Sequence, residues 1–245
     1  MSIPRFYCPT LLAPGAIVSL PANAAFHASK SLRLKAGDMA ILFNGDGHDY
    51  LCEFVGFQKN DVTAKIRSVS KNHTESPLRI TLAQAISSGD RMDFTLQKAV
   101  ELGVSAIQPI ASQRSVVKLS GERAEKRREH WQNVVISACE QSGRAVVPEV
   151  AAPLSLPAWL ATQPAFAMRL TMSPSAGETL QDLPAPTGEI CLLIGSEGGL
   201  TEDEISMASN SGFRSVKLGR RILRTETAPL AAIAAMQVLW GDFNE

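Results

Sequence analysis

From residue 73 the chain alternates short apolar, strand-like runs with helical stretches. They are "LRITLAQAI", "RMDFTLQKAVELG", "SAIQPIA", a long helix from about Ala124, "AFAMRL", "EICLLIG", a helix from Glu202, "RSVKLG" and a final helix. This order predicts an α/β domain with a mostly parallel sheet, because parallel neighbours need crossovers and helices supply them. In the long helix Trp131, Val134, Val135, Ala138 and Cys139 recur at helical spacing and form one apolar stripe, expected in the core. The final helix, "PLAAIAAMQVLW", is apolar on nearly every face, so it must be buried within the domain or against a second subunit. Seven prolines between Pro148 and Pro186 mark a loop-rich region without a readable motif.

Residues 1–72 have a different texture. "DMAILF", the turn "NGDG" and "HDYLCEFVGF" read as a hairpin around Asn44 to Gly47, and "DVTAKIRSVS" as a further strand. The segment holds eight Lys or Arg against five Asp or Glu. A small, mildly basic β domain suits an RNA-binding barrel, and equally an ordinary barrel with a solvated surface. Two domains are therefore expected, 1–72 and 73–245. The whole chain of 245 residues, 45% hydrophobic and 20% charged, is globular in composition. Its formal net charge is zero, so affinity for nucleic acid has to come from local clusters. No apolar run approaches the roughly 20 residues that span a bilayer, and "MSIPRFYCPT" lacks the layout of a signal peptide, which places the protein in the cytoplasm, away from membranes. Cys8, Cys52, Cys139 and Cys191 are scattered in apolar contexts with no paired spacing; buried thiols and no metal site are expected.

"LLIGSEGGLTEDEI", residues 192–205, has the strand, glycine turn and helix of a phosphate cradle, yet it carries Glu197, Glu202, Asp203 and Glu204. Thr201 and Glu204 have the spacing of a capping box, which occupies the helix N-terminus and complements its dipole. A phosphate would meet repulsion there, and the G-K-[ST] ending of a nucleotide-binding loop is missing. What remains is a glycine-lined pocket at a strand end for a neutral or cationic ligand. An adenine joined to a sulfonium, as in S-adenosylmethionine (SAM), fits that description. Capping explains Glu202 to Glu204; Glu197, in the turn itself, is left as the carboxylate with a functional reading. The next strand also ends in glycine, Gly219, and Arg214, Lys217, Arg220, Arg221 and Arg224 crowd the stretch between Ile205 and Thr225 without one acid. Such density in a loop reads as a phosphate-contacting strip, or as a solvated cationic edge.

"LLIGSEGGLTEDEI" and "LGRRILRTETAPLAAI" together resemble the cofactor-binding signatures of the SPOUT methyltransferases, and among them the ribosomal RNA small subunit methyltransferase E family. The resemblance extends to "HASKSLRLKAGD" and "LFNGDG", similar to the family's PUA-like barrel, and to "RMDFTLQKAVELGV", "QRSVVK" and "EQSGR". It implies a PUA-like β-barrel at the N-terminus, a trefoil-knotted α/β domain after it, a homodimer, and SAM-dependent methylation of N3 of a uridine in 16S rRNA, presented in the assembled small subunit. A non-catalytic RNA-binding or assembly protein of the same fold, or an enzyme for another RNA base, are the alternatives. The resemblance further implies a SAM pocket made by Leu170, Thr171, Gly195, Ser196, Glu197, Gly198, Leu218, Gly219, Ile222, Leu223 and Ala228. Arg5, Arg33, Lys35, Arg91, Arg114 and Arg144 would serve RNA, with structural ion pairs as the alternative, and Arg220 and Arg221 would be phosphate contacts. Loss of the uracil N3 proton leaves an anion, and an arginine can stabilise it although it cannot accept the proton. Arg224, between Gly219 and the last helix, is expected in that role, with an ion pair to Glu226 or to an acid of the second subunit as the structural alternative; Glu197 is a weak candidate for the proton.

Overall fold

The computed structural model describes residues 3–58, 61–115, 121–162 and 165–244. Of the stretch "QRSVVK", Val116, Val117 and Lys118 lie outside them. The chain divides into two compact units: Met1–Glu75 with Cys139–Val147, and Ser76–Ala138 with Pro148–Glu245.

The first unit is built on five strands, β1 (Arg5–Tyr7), β2 (Ile17–Ser19), β3 (Met39–Phe43), β4 (His48–Gln58) and β5 (Asp61–Lys71), in the order β1-β3-β4-β5-β2. β1 joins β3 in parallel and the other pairs are antiparallel. β3 and β4 form the expected hairpin, whose turn is held by the Asn44 Oδ1, which accepts from the Asp46 amide at 3.2 Å. Alternate residues of β4, Tyr50, Cys52 and Phe54, point into a core with Phe6, Leu42 and Ile66, the two-residue period of a half-buried strand. A short helix, α1 (Ala22–Phe26), closes one side through Ala24 and Ala25 and runs into a π-helical turn, His27–Ser31.

The second unit carries β6 (Ile80–Ala85), β7 (Ala106–Ala111), β8 (Glu149–Val150), β9 (Leu154–Ser155), β10 (Met168–Met172), β11 (Glu178–Thr179), β12 (Ile190–Ile194) and β13 (Arg214–Lys217). They order as β11-β13-β10-β12-β6-β7-β8, with β9 also on β7, and every pairing is parallel. The central strands β6 and β12 are buried at every position, as strands covered on both faces must be. The crossovers use α2 (Asp90–Glu101), α4 (Leu156–Ala161) and α5 (Glu202–Asn210), and α6 (Thr227–Trp240) follows the last strand. The long helix α3 (Gly121–Ser142) begins three residues before its expected start. Trp131, Val135, Ala138 and Cys139 of its stripe are buried, and Val134 is half-buried.

α6 packs on α2 and β12 through Ala232, Ile233, Met236 and Gln237 and leaves Val238 and Leu239 exposed. The proline-rich region starts α4 by simple capping: Ser155 Oγ accepts from the Ala158 amide, and Pro157 sits in the first turn, where no amide is needed. All four cysteines are free and buried, and burial raises the Cys52 and Cys139 thiols to about 12. No helix among the described residues is long and apolar enough to cross a membrane.

Candidate functional site

The parallel sheet brings the C-terminal ends of β10, β12 and β13 side by side, with Leu170 and Thr171 of β10 opposite Leu192 and Leu193 of β12, and Leu170 also opposite Arg214 of β13. In open α/β sheets ligands bind beyond such strand ends. β12 runs into Gly195, where the turn is so tight that a Cβ would lie 2.8 Å from the Gly199 carbonyl carbon and the Leu200 nitrogen. Only glycine fits there. The Gly195 carbonyl accepts from the Thr225 hydroxyl at 2.7 Å, and that hydroxyl accepts from Gln84 Nε2 at 3.2 Å. The segment after β13 is thereby fastened beneath the turn.

Two of the turn's four carboxylates, Glu197 and Glu204, are consumed in building it. Glu204 is 1% exposed; one of its oxygens accepts from the Thr201 amide at 2.9 Å and the other from the Gln113 amide at 2.8 Å. Thr201 Oγ accepts from the Glu204 amide at 3.2 Å, which completes the expected capping box. Glu202 and Asp203 face solvent. Glu197, expected to act on the substrate, instead ties the turn to the segment after β6. Its Oε1 accepts from the Ser88 amide at 2.9 Å, the Ser88 hydroxyl at 2.8 Å and Arg91 at 3.1 Å. Partial burial alone would raise its pKa; these hydrogen bonds, with one from its own backbone amide, overcome that and hold the carboxyl at about 2. A group this acidic is a poor base. Ser88, Gln84, Gln113 and Thr225 carry no local signal in the sequence, because each acts on a partner more than eighty residues away.

Beside the turn, Leu218, Gly219, Leu223 and Ala228 line one small recess with Met172, Ser173, Pro174 and Arg221. Gly219 lies at φ +69, a left-handed conformation that suits glycine. The recess takes in four of the eleven expected cofactor residues. Ser196 is 4% exposed, and its hydroxyl has no hydrogen-bond partner. Leu170 and Thr171 are buried within β10, and Met172 and Ser173, which follow them, line the recess. Ile222, also expected at the cofactor, is 84% exposed.

The expected RNA-binding residues also sort by environment. Arg5 donates to both Asp49 oxygens at 2.8 and 3.0 Å and lies over the Phe43 ring, with its side chain 11% exposed. Arg144 is 5% exposed and pairs with Glu75 at 2.6 Å. Both form structural ion pairs inside the first unit. Arg114 donates to the Gly198 and Leu200 carbonyls at 2.8 and 3.3 Å, and Arg91 holds Glu197, so both brace the glycine turn. Arg33, Lys35, Arg220, Arg221 and Arg224 remain exposed. The alternative ion pair between Arg224 and Glu226 is not formed; one buried carboxylate oxygen of Glu226 has no partner.

Two families match the chain: an RNA methyltransferase domain over residues 74–237 and an RNA methyltransferase PUA domain over residues 20–67. The chain is 37% identical over 242 residues to ribosomal RNA small subunit methyltransferase E of Buchnera aphidicola from Schizaphis graminum, covering 99% of this chain and 98% of that one. To the enzyme of the same name from Bacillus subtilis it is 32% identical, covering 91% and 92%. The crystal structure of ribosomal RNA small subunit methyltransferase E from Neisseria gonorrhoeae bound to S-adenosyl methionine is 49% identical, superposes with a TM-score of 0.92 and covers 99% and 100% of the two chains. The glycine turn at the end of β12, the recess beside it and the β domain before them thus belong to one known combination, and the chain is a member of the ribosomal RNA small subunit methyltransferase E family.

Proposed function

We propose that the protein transfers the methyl group of SAM to N3 of a uridine in 16S rRNA, with the assembled small ribosomal subunit in the cytoplasm as its substrate. The observation that carries this reading is the glycine turn fastened at Gly195, Glu197 and Gly198 beside a recess walled by Leu218, Leu223 and Ala228. Its chemistry suits the cofactor: apolar walls for an adenine and a buried unpartnered Ser196 hydroxyl for a polar group. Bound there, SAM supplies an electrophilic methyl group. The residues in the SPOUT role are Ser196, Gly195, Gly198 and the Leu218–Leu223 loop around the cofactor, with Arg224 facing the base. Its guanidinium forms no ion pair with a described residue and is free to hold the uracil anion. Neither Arg224 nor Glu197 takes the proton, the first for its high pKa and the second for its low one.

The trefoil knot fits the passage of the chain from β13 back beneath the Gly195 turn through Thr225. A homodimer fits α6, whose Ala234, Ala235, Val238 and Leu239 line an open apolar groove with Leu180 and Leu218. The first unit serves RNA through its exposed cations.

The test is nucleoside mass spectrometry of small subunits from cells lacking the protein, after incubation with the purified enzyme and methyl-labelled SAM. The expected product is 3-methyluridine in 16S rRNA. Arg224→Ala should lower the single-turnover rate about 100-fold, with the mass of the dimer unchanged. Label in another base would overturn the assignment of the reaction, and no label at all would leave a binding protein.

A further inference from the structure

The first unit exposes one aromatic ring that its own packing does not use. Phe26, the last residue of α1, is 64% exposed, whereas Ala24, Ala25 and Ala28 are buried in the core and the His27 ring packs edge-on against Phe6 at 5.8 Å. The turn is docked inward through its alanines, and the Phe26 ring is turned to water. The backbone that follows is irregular. Residues His27–Ser31 form a π-helical turn, with the Ser29 hydroxyl donating to the Ala25 carbonyl at 2.8 Å, and Arg33 lies at φ +56, which a side chain rarely tolerates. Strain of this kind is retained where it positions something.

What it positions is charge. Lys30, Arg33 and Lys35 are exposed, and none of the three side chains pairs with a described residue. The sequence has no acid before Asp38, whose carboxylate is turned back onto the Lys35 amide at 2.7 Å. Glu140, the acid that senses His27, accepts from the Tyr7 amide, and burial raises its pKa.

A lone exposed phenylalanine has no meaning by itself. A ring followed within nine residues by three free cations on a strained segment suits a polyanion that also offers flat apolar faces. Duplex RNA has the phosphates but hides its bases; an apolar protein surface would leave the cations unmatched. Unpaired RNA has both, and its recognition by aromatic stacking with phosphate contacts is general. We infer that Phe26 is a stacking platform for an unpaired base of the RNA substrate, with Lys30, Arg33 and Lys35 holding the adjoining phosphates. This rests on the proposed rRNA methyltransferase function and gives the first unit a specific part in positioning the substrate.

The test is equilibrium binding of the full-length protein to purified small ribosomal subunits over a range of salt. Phe26→Ala should weaken binding roughly tenfold while the slope of log K against log salt stays at the wild-type value. Phe26→Trp should restore affinity, and Phe26→Leu, apolar but without a π face, should not. Arg33→Ala should instead flatten the slope by about 0.7. SAM affinity and melting temperature should be those of the wild type in Phe26→Ala. Wild-type affinity in Phe26→Ala overturns the inference. So does full affinity in Phe26→Leu, which would make the patch an apolar docking site for a ribosomal protein. A wild type that methylates subunits separates these results from failure of the functional reading, which would show as no methyl transfer by any variant.

Discussion

Glu197 illustrates how one carboxylate can look catalytic in a sequence and be structural in the fold. Its position inside a glycine turn is visible in "GSEGG", but its partners Ser88 and Arg91 lie more than a hundred residues away, so no spacing rule could reveal that three donors converge on Oε1. The ion pairs of Arg5 and Arg144 were hidden in the same way, whereas the Thr201 and Glu204 capping pair, three residues apart, was legible in full. The consequence of Glu197's role is a pH dependence of known sign. Folding lowers its pKa from the ordinary 4.5 to about 2, so the charged form favours the native state. That contribution is complete well above pH 4.5 and is lost as pH falls through 4.5 toward 2. Glu197→Gln should therefore lower the urea midpoint at pH 7, and the gap to wild type should narrow at pH 3. Equal gaps at the two pH values would show that the carboxylate's charge is not what the turn uses.

At the scale of elements, the start of α5 does more than begin a helix. Glu204 closes the capping box with one oxygen and holds the loop after β7 with the other, through Gln113, the neighbour of Arg114. Thr201→Ala removes one hydrogen bond at a partly exposed cap and should cost about 1 kcal/mol. Glu204→Gln turns one buried acceptor into a donor facing an amide and should cost more, roughly 1–3 kcal/mol. Urea unfolding with an unchanged m-value would confirm the order; the reverse order would mean that the Gln113 contact contributes nothing. Strands long enough to carry a pattern, the alternation of β4 and β5 and the unbroken apolar run of β12, are readable from the sequence. β8, β9 and β11 were not, since two residues have no period. The π-helical turn was equally silent, because "HASKS" has no composition that separates it from an α-helix.

For the molecule as a whole, alternation gave away the parallel sheet but not its order: β6 lies between β12 and β7, a neighbourhood that only long-range packing decides. The same limit applies to Cys139–Val147, which belong to the first compact unit although the apolar stripe of α3 continues through Cys139 without a break. The site depends on that long-range order, because Gly195, Thr225 and Gln84 meet only once β6 and β12 are neighbours and the chain after β13 has returned to them. Whether this junction forms the SAM site is decided by titration calorimetry of SAM into wild-type protein and Gly195→Ala, where a Cβ would lie 2.8 Å from the backbone of Gly199 and Leu200. The wild type should bind SAM, and Gly195→Ala, with wild-type circular dichroism and sedimentation, should bind none. Undiminished binding by the folded variant would contradict the placement of the cofactor at this turn.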